Sequence, residues 1–126
     1  PRTCYPGTGF AHETGFESGK GFTLNFPLPP GTTDDKYLEL FQNKIIPQFE
    51  DYKPDFILLS AGFDGHTRDP LAMLDLTENC YHEITKQMRT LAEKFASGRL
   101  VSLLEGGYDL EALALSVEAH IQALLH

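Results

Sequence analysis

Tryptophan is absent from the 126 residues, and cysteine occurs only twice, at Cys4 and Cys80. These two fall in no CxxC or zinc-ribbon spacing, so the sequence points to neither a disulfide framework nor a structural zinc site. A reducing compartment is expected: the cytoplasm, or the nucleus if the source is eukaryotic. Positive charge is also scarce. Ten Lys and Arg stand against 18 Asp and Glu, a formal net charge of -8. The resulting field repels phosphate backbones, which argues against direct nucleic-acid binding, and tolerates a cationic ligand better. No apolar run approaches the roughly 20 residues of a spanning helix, and no basic flank precedes an apolar leader, so neither a membrane span nor an export signal is read here. Internal repeats and low-complexity tracts are missing as well.

What is present is ordinary for a globular domain, with 41% hydrophobic and 22% charged residues. The length suits a single domain of moderate core. The sequence opens at Pro1, without Met and inside a Gly- and Pro-rich stretch. That opening is what a piece of a larger unit would show.

Residues 1–21 lack sustained periodicity and read as a long irregular loop, a feature uncommon in compact domains unless functional. Residues 22–126 read as alternating strands and helices. Phe22, Leu24 and Phe26 alternate as a short strand closed by Pro27 and the Pro29-Pro30-Gly31 turn. A helix capped by Thr33 or Asp34 is expected to carry Leu38, Phe41, Ile45, Phe49 and Tyr52 on one stripe and to be kinked or broken at Pro47. Phe56-Ile-Leu-Leu-Ser60 is a continuous apolar run of the kind buried on both faces of a parallel sheet. After a loop from Phe63 to Leu76, Thr77 is placed to cap a helix with the stripe Tyr81, Ile84, Met88, Leu91 and Phe95, stopped by Gly98. Leu100–Leu104 reads as a third strand and Glu105–Tyr108 as a turn. Leu110, Leu113, Val117, Ile121 and Leu124 trace a last amphipathic helix.

This alternation predicts an α/β fold with a parallel sheet and right-handed crossovers. Ligands of such sheets bind outside the carboxyl ends of the strands. The loops after Ser60 and after Leu104 are therefore where chemistry is expected. The first concentrates Asp64, His66 and Asp69, residue types that suit a divalent metal; the same aspartates would equally cap turns or pair with Arg68. The second presents Tyr108 behind paired glycines, which let a backbone approach a ligand closely. Its hydroxyl would serve as an oxyanion donor, or the ring would simply pack in a tight turn. His12, His82, His120 and His126 share no metal-ligand spacing and read as surface or packing residues.

Three strings occur in order: Tyr5-Pro-Gly-Thr-Gly9; Leu59-Ser-Ala-Gly-Phe-Asp-Gly-His66 with Asp69-Pro-Leu71; and Leu104-Glu-Gly-Gly-Tyr-Asp-Leu110. Their order and spacing resemble the histone deacetylase and acetylpolyamine amidohydrolase superfamily, in its class II or bacterial form, from Tyr5 to the C-terminus. The resemblance implies an arginase-like three-layer α/β fold, of which residues 1–126 would be the C-terminal part. It implies a zinc-dependent hydrolase of the acetyl amide on acetyl-lysine or an acetylated polyamine, with another divalent metal as an alternative to zinc.

Residue by residue, the resemblance makes Asp69 a metal ligand and Tyr108 the catalytic tyrosine that polarises the scissile carbonyl. Tyr5, Leu76 and Gly107 would line the substrate tunnel, and Asp64 and His66 would stand behind the ligands. Phe22 aligns with a backbone contributor to a structural potassium site. The family's remaining ligand pair and its proton-transfer histidines precede the first string and are not among these residues. The upstream part of the same catalytic domain is thus an implied partner, and the isolated chain is expected to be inactive. A sheet edge left unpaired would invite association into an oligomer. A non-catalytic interaction module and an unrelated small-ligand domain using the glycine turns are the other readings.

Overall fold

The computed structural model describes residues 6–126. Two strands, β1 (Ile57–Ala61) and β2 (Leu100–Leu104), pair in parallel, from Ile57 opposite Leu100 to Ala61 opposite Leu104. Four α-helices flank them: α1 (Asp34–Leu40), α2 (Ile46–Tyr52), α3 (Glu78–Phe95) and α4 (Leu110–Leu125). A parallel pair needs a long crossover. Here α3 supplies it.

Helices α3 and α4 cover one face of the sheet, and two apolar clusters form beneath it. In the first, Ile57 and Leu100 meet Phe41, Met88, Leu91, Ala92 and Ala96. In the second, Phe63, Leu76, Cys80 and Tyr81 pack together with Leu113 and Val117. The opposite face is bare among the described residues: Leu58, Val101 and Leu103 are 71%, 43% and 54% exposed.

The strand expected at Phe22–Phe26 is absent. Phe22 and Leu24 are exposed, and the Asn25 side-chain amide donates to the carbonyls of Phe10 and Glu13, both at 3.1 Å. Alternation makes a strand only where a neighbouring strand takes up its backbone groups; here the Phe22 and Thr23 N–H groups donate instead to the irregular segment, to the Gly19 and Thr14 carbonyls at 3.1 and 3.4 Å. Among the described residues the sheet is therefore two-stranded, not three-stranded.

Pro47 does not end its helix. A π turn over Phe41–Ile45 joins α1 to α2 while the backbone stays helical. Pro47 lies in the first turn of α2, directly after the wide turn in which the Ile46 N–H reaches back to the Phe41 carbonyl, and that turn accommodates the ring. Lys53, left-handed at φ 53°, closes α2 just before Pro54.

The caps also differ from expectation. Thr33 and Thr77 occupy the N-cap positions of α1 and α3, yet neither side chain caps. Instead the Thr77 hydroxyl and N–H donate to the two oxygens of Asp34, at 2.6 and 2.8 Å, tying the start of α3 to the start of α1. Only α4 has a side-chain cap, with Asp109 accepting from the Ala112 N–H at 2.8 Å.

The buried face of α4 is only in part the leucine stripe. Leu113 and Val117 of that stripe pack against the second cluster, but the fully buried residues are Ala112, Ser116, His120 and Ala123, whereas Leu110 and Ile121 are exposed. Small side chains let α4 approach α3 closely, and a continuously apolar helix cannot reveal from its own periodicity which side does so. His120 donates from Nδ1 to the Thr85 hydroxyl at 2.7 Å and accepts from the Ser102 hydroxyl at 2.9 Å. Thr85 in turn donates to the Tyr81 carbonyl. This link joins β2, α3 and α4, and burial holds the His120 pKa below its ordinary value.

Candidate functional site

The β1–β2 pairing continues past the strands into the two loops. Glu105 N–H donates to the Ala61 carbonyl at 2.9 Å, and Phe63 N–H donates to the Gly106 carbonyl at 2.8 Å. The loops thus leave the sheet side by side at its carboxyl end.

The loop after β1 folds back on itself. His66 N–H donates to the Phe63 carbonyl, Asp69 N–H to the His66 carbonyl, and Thr67 N–H to the Leu76 carbonyl. Asp69, partly buried, accepts from the Leu71 N–H at 2.9 Å through one oxygen and from the Tyr108 N–H at 2.7 Å through the other. The carboxylate is therefore fixed by both loops. The Tyr108 side chain is 57% exposed. Asp69 and Tyr108 stand on one rim of the sheet.

Asp64 fills the space between the two turns. A β-carbon at Gly106 would stand 2.8 Å from the Asp64 Cγ, so only glycine admits the carboxylate at this point. Gly107 has φ +145°, and a β-carbon there would meet the Leu113 side chain at 2.6 Å. Both glycines before Tyr108 are therefore required, one for close approach and one for its backbone conformation as well.

His66 is 3% exposed. Its Nδ1 accepts from the Arg68 N–H at 3.1 Å, which leaves the proton on Nε2 to face the Glu78 carboxylate at 3.3 Å. A backbone hydrogen bond, and then this imidazole, hold Glu78 below the usual carboxylate range. Both His66 nitrogens are used, one within the loop and the other toward the start of α3.

Leu76, expected along a tunnel, is 2% exposed and packs against Phe63, Cys80 and Tyr81. Its bridge to His66 turns the apolar side chain under the loop, where it forms the floor. Tyr81 also lies beneath, with an unpartnered hydroxyl whose pKa is pushed up by burial and by Asp64. The Phe22 ring is exposed and set edge-on to Tyr52 at 6.4 Å. Tyr5 lies outside the described residues.

Sequence reasoning left Asp109 without a part and offered Arg68 as a partner for the loop's own aspartates, Asp64 or Asp69. Asp109 caps α4, a role that an Asp directly before an apolar run signals. The Arg68 guanidinium reaches Glu111 at 2.6 Å and Asp109 at 3.5 Å, across 43 residues in the first case. No local rule shows such a contact.

A carboxylate with a free lone pair on each oxygen is a fitting ligand for zinc, but zinc sites take about three or four protein ligands. Among the described residues no group of three His, Cys, Asp or Glu side chains could hold a metal ion. Nor, among them, is any helix long and apolar enough to cross a membrane.

Residues 1–124 match the family described as the histone deacetylase domain. The chain is 46% identical over 121 residues to the chloroplastic histone deacetylase 14 of Arabidopsis thaliana, covering 96% of this chain and 29% of that protein. It is 47% identical over 107 residues to a probable deacetylase of Archaeoglobus fulgidus, covering 85% and 30%. Among solved structures, the HDA15 HD domain superposes with a TM-score of 0.90 at 37% identity, covering 98% of this chain and 34% of that one. The chain thus spans about a third of the length of these relatives. Its paired parallel strands are part of the arginase- and deacetylase-like α/β fold, and with a family match over nearly its whole length the chain belongs to the histone deacetylase family.

Proposed function

We propose that this chain forms one rim of the active site of a zinc-dependent deacetylase that hydrolyses the acetyl amide of acetyl-lysine or of an acetylated polyamine. The observation that carries this reading is the Asp69 carboxylate bound to the Tyr108 N–H at 2.7 Å. In a member of this family, that bond sets an anionic oxygen donor and an exposed phenol side by side at the carboxyl ends of adjacent parallel strands. Other metal ligands and the proton-transfer histidines belong to the part of the catalytic domain outside these residues.

In this reading Asp69 contributes one ligand to the zinc, which when bound supplies Lewis-acid polarisation of the scissile carbonyl and of a water molecule. The chain's own work falls mainly to Tyr108. Its hydroxyl donates to the oxygen on which negative charge develops as the amide carbonyl becomes tetrahedral. The paired glycines and the Asp69 hydrogen bond hold the backbone from which that phenol projects. Asp64 keeps the two turns at a fixed spacing. Gly107 and Tyr5 border the substrate's path. His66, with both nitrogens engaged, supports the loop and takes no proton from the reaction. The net charge of -8 favours substrates whose amine carries positive charge elsewhere in the molecule.

Tyr108→Phe in the intact protein tests the assignment. The expected result is a fall in kcat of about a hundredfold or more, since one oxyanion donor is typically worth that much, with zinc content unchanged. Loss of zinc from this variant, or full activity, would refute the role.

A further inference from the structure

Arg68 precedes the proposed ligand Asp69 and is itself anchored, its N–H donating to His66 Nδ1 at 3.1 Å. Its guanidinium crosses to the other loop. There it meets Glu111 at 2.6 Å and Asp109 at 3.5 Å, while Asp109 also caps α4 through the Ala112 N–H. As an arginine, Arg68 is a permanent cation at any working pH. Two neighbouring residues of one loop thus grip the other: Asp69 holds the Tyr108 N–H, and Arg68 holds the residue after Tyr108 and the first turn of α4.

We propose that Arg68 is a positioning residue, whose bridge to Asp109 and Glu111 fixes the turn that carries Tyr108 against the loop that carries Asp69. The inference rests on the deacetylase reading for its effect on turnover. It does not rest on that reading for the clamp itself. A phenol that must meet a developing oxyanion loses rate when its backbone wanders, even if substrate still binds. Arg68 is half-exposed and Glu111 is exposed. The attraction is therefore open to screening by salt, unlike the apolar packing beneath it.

Kinetics on the intact protein with an acetyl-lysine peptide give the first test. Arg68→Ala is expected to lower kcat by about three- to fivefold, the scale of one exposed ion pair, with KM nearly unchanged. Arg68→Lys should recover part of the loss. Sodium chloride at about 1 M should bring the wild-type kcat toward that of the Ala variant and change the variant less.

The second test does not use activity. With 3-fluorotyrosine incorporated, the Tyr108 fluorine signal, assigned by its disappearance in Tyr108→Phe, should shift or broaden in Arg68→Ala while the buried Tyr81 signal stays in place. Unchanged kcat together with an unchanged Tyr108 signal overturns the proposal. So does an equal disturbance of every tyrosine, which would mark general loosening. A wild-type protein with no deacetylation would refute the functional reading alone, and the fluorine signal would still decide the clamp.

Discussion

The rim at the carboxyl ends of β1 and β2 and the irregular segment over residues 7–21 are both rich in glycine, yet they use it in opposite ways. In the rim, β-carbons placed at Gly62, Gly65, Gly106 and Gly107 would stand between 2.6 and 3.1 Å from neighbouring atoms. In the segment, Gly7, Gly9, Gly19 and Gly21 have nothing within 4 Å, and a β-carbon at Gly15 would clash only with the segment's own backbone at Gly19 and Lys20. The first set is there because backbone and side chains must approach each other closely. The second shapes a chain that, as described, touches little. Glycine content alone marks a turn; only packing tells a built site from an open loop.

The strongest break in this contrast is Asp69→Asn. Each Asp69 oxygen accepts from a backbone N–H, one of them that of Tyr108. An amide would aim its NH2 at one of those donors, loosening the turn as well as weakening a metal ligand. In the intact protein we expect activity to fall at least about a hundredfold and zinc content to fall with it, measured by elemental analysis. Full zinc occupancy with normal turnover would remove Asp69 from the site.

Paired glycine substitutions sharpen the comparison directly. Gly106→Ala pushes a methyl group against Asp64 and should cost about 1–3 kcal/mol of stability, as overpacking does. Gly19→Ala, in open space, should stay within about 0.5 kcal/mol of the parent. Denaturant unfolding of both variants measures the difference, and equal effects would deny that the rim is tightly built.

The link beneath the rim gives a smaller effect that depends on pH. His120 is buried neutral, donating to Thr85 and accepting from Ser102, with its pKa lowered by burial. The unfolded chain then binds a proton more readily than the folded one. The stability this group contributes is thus present above the unfolded value near 6.5 and is lost as pH falls below it through the folded value. Protonation would also remove the acceptor that the Ser102 hydroxyl uses. Thermal midpoints between about pH 7.5 and 5 should fall less steeply in His120→Gln than in the parent. Parallel curves would show that His120 does not carry the dependence.

Cys80 provides a final check on how dry this layer is. Burial, then the charge of Asp34, push its pKa up to about 12. The thiol should therefore resist alkylation at neutral pH until the chain is unfolded. Rapid labelling at Cys80 in the native protein, told apart from Cys4 by peptide mapping, would contradict the packing of the second cluster.

Much of the rim's location could be read in the chain. The runs Phe56–Ser60 and Leu100–Leu104 are continuous and apolar, and parallel strands with such runs present ligands at their carboxyl ends. The stripe Tyr81, Met88 and Leu91 likewise names the buried side of α3. The strand read at Phe22–Phe26 failed because alternation is only half a strand, the other half being a neighbour's hydrogen bonds. The α4 stripe held only in part: Leu113 and Val117 pack against the second cluster while Leu110 and Ile121 face out, and the deepest burial falls on Ala112, Ser116 and His120, where α3 approaches closely.

The sequence by itself determined the two strands, the crossover helix and which two loops leave the carboxyl end of the sheet, because apolar period and turn residues act over a few neighbours. Only the tertiary structure decided that His66 faces inward to Glu78, that Asp34 ties α1 to α3, and that Arg68 and Asp69 grip the turn around Tyr108. The last three join residues 39 to 43 positions apart. Such partners are selected by which loops the folded sheet sets side by side, a geometry that no local pattern encodes.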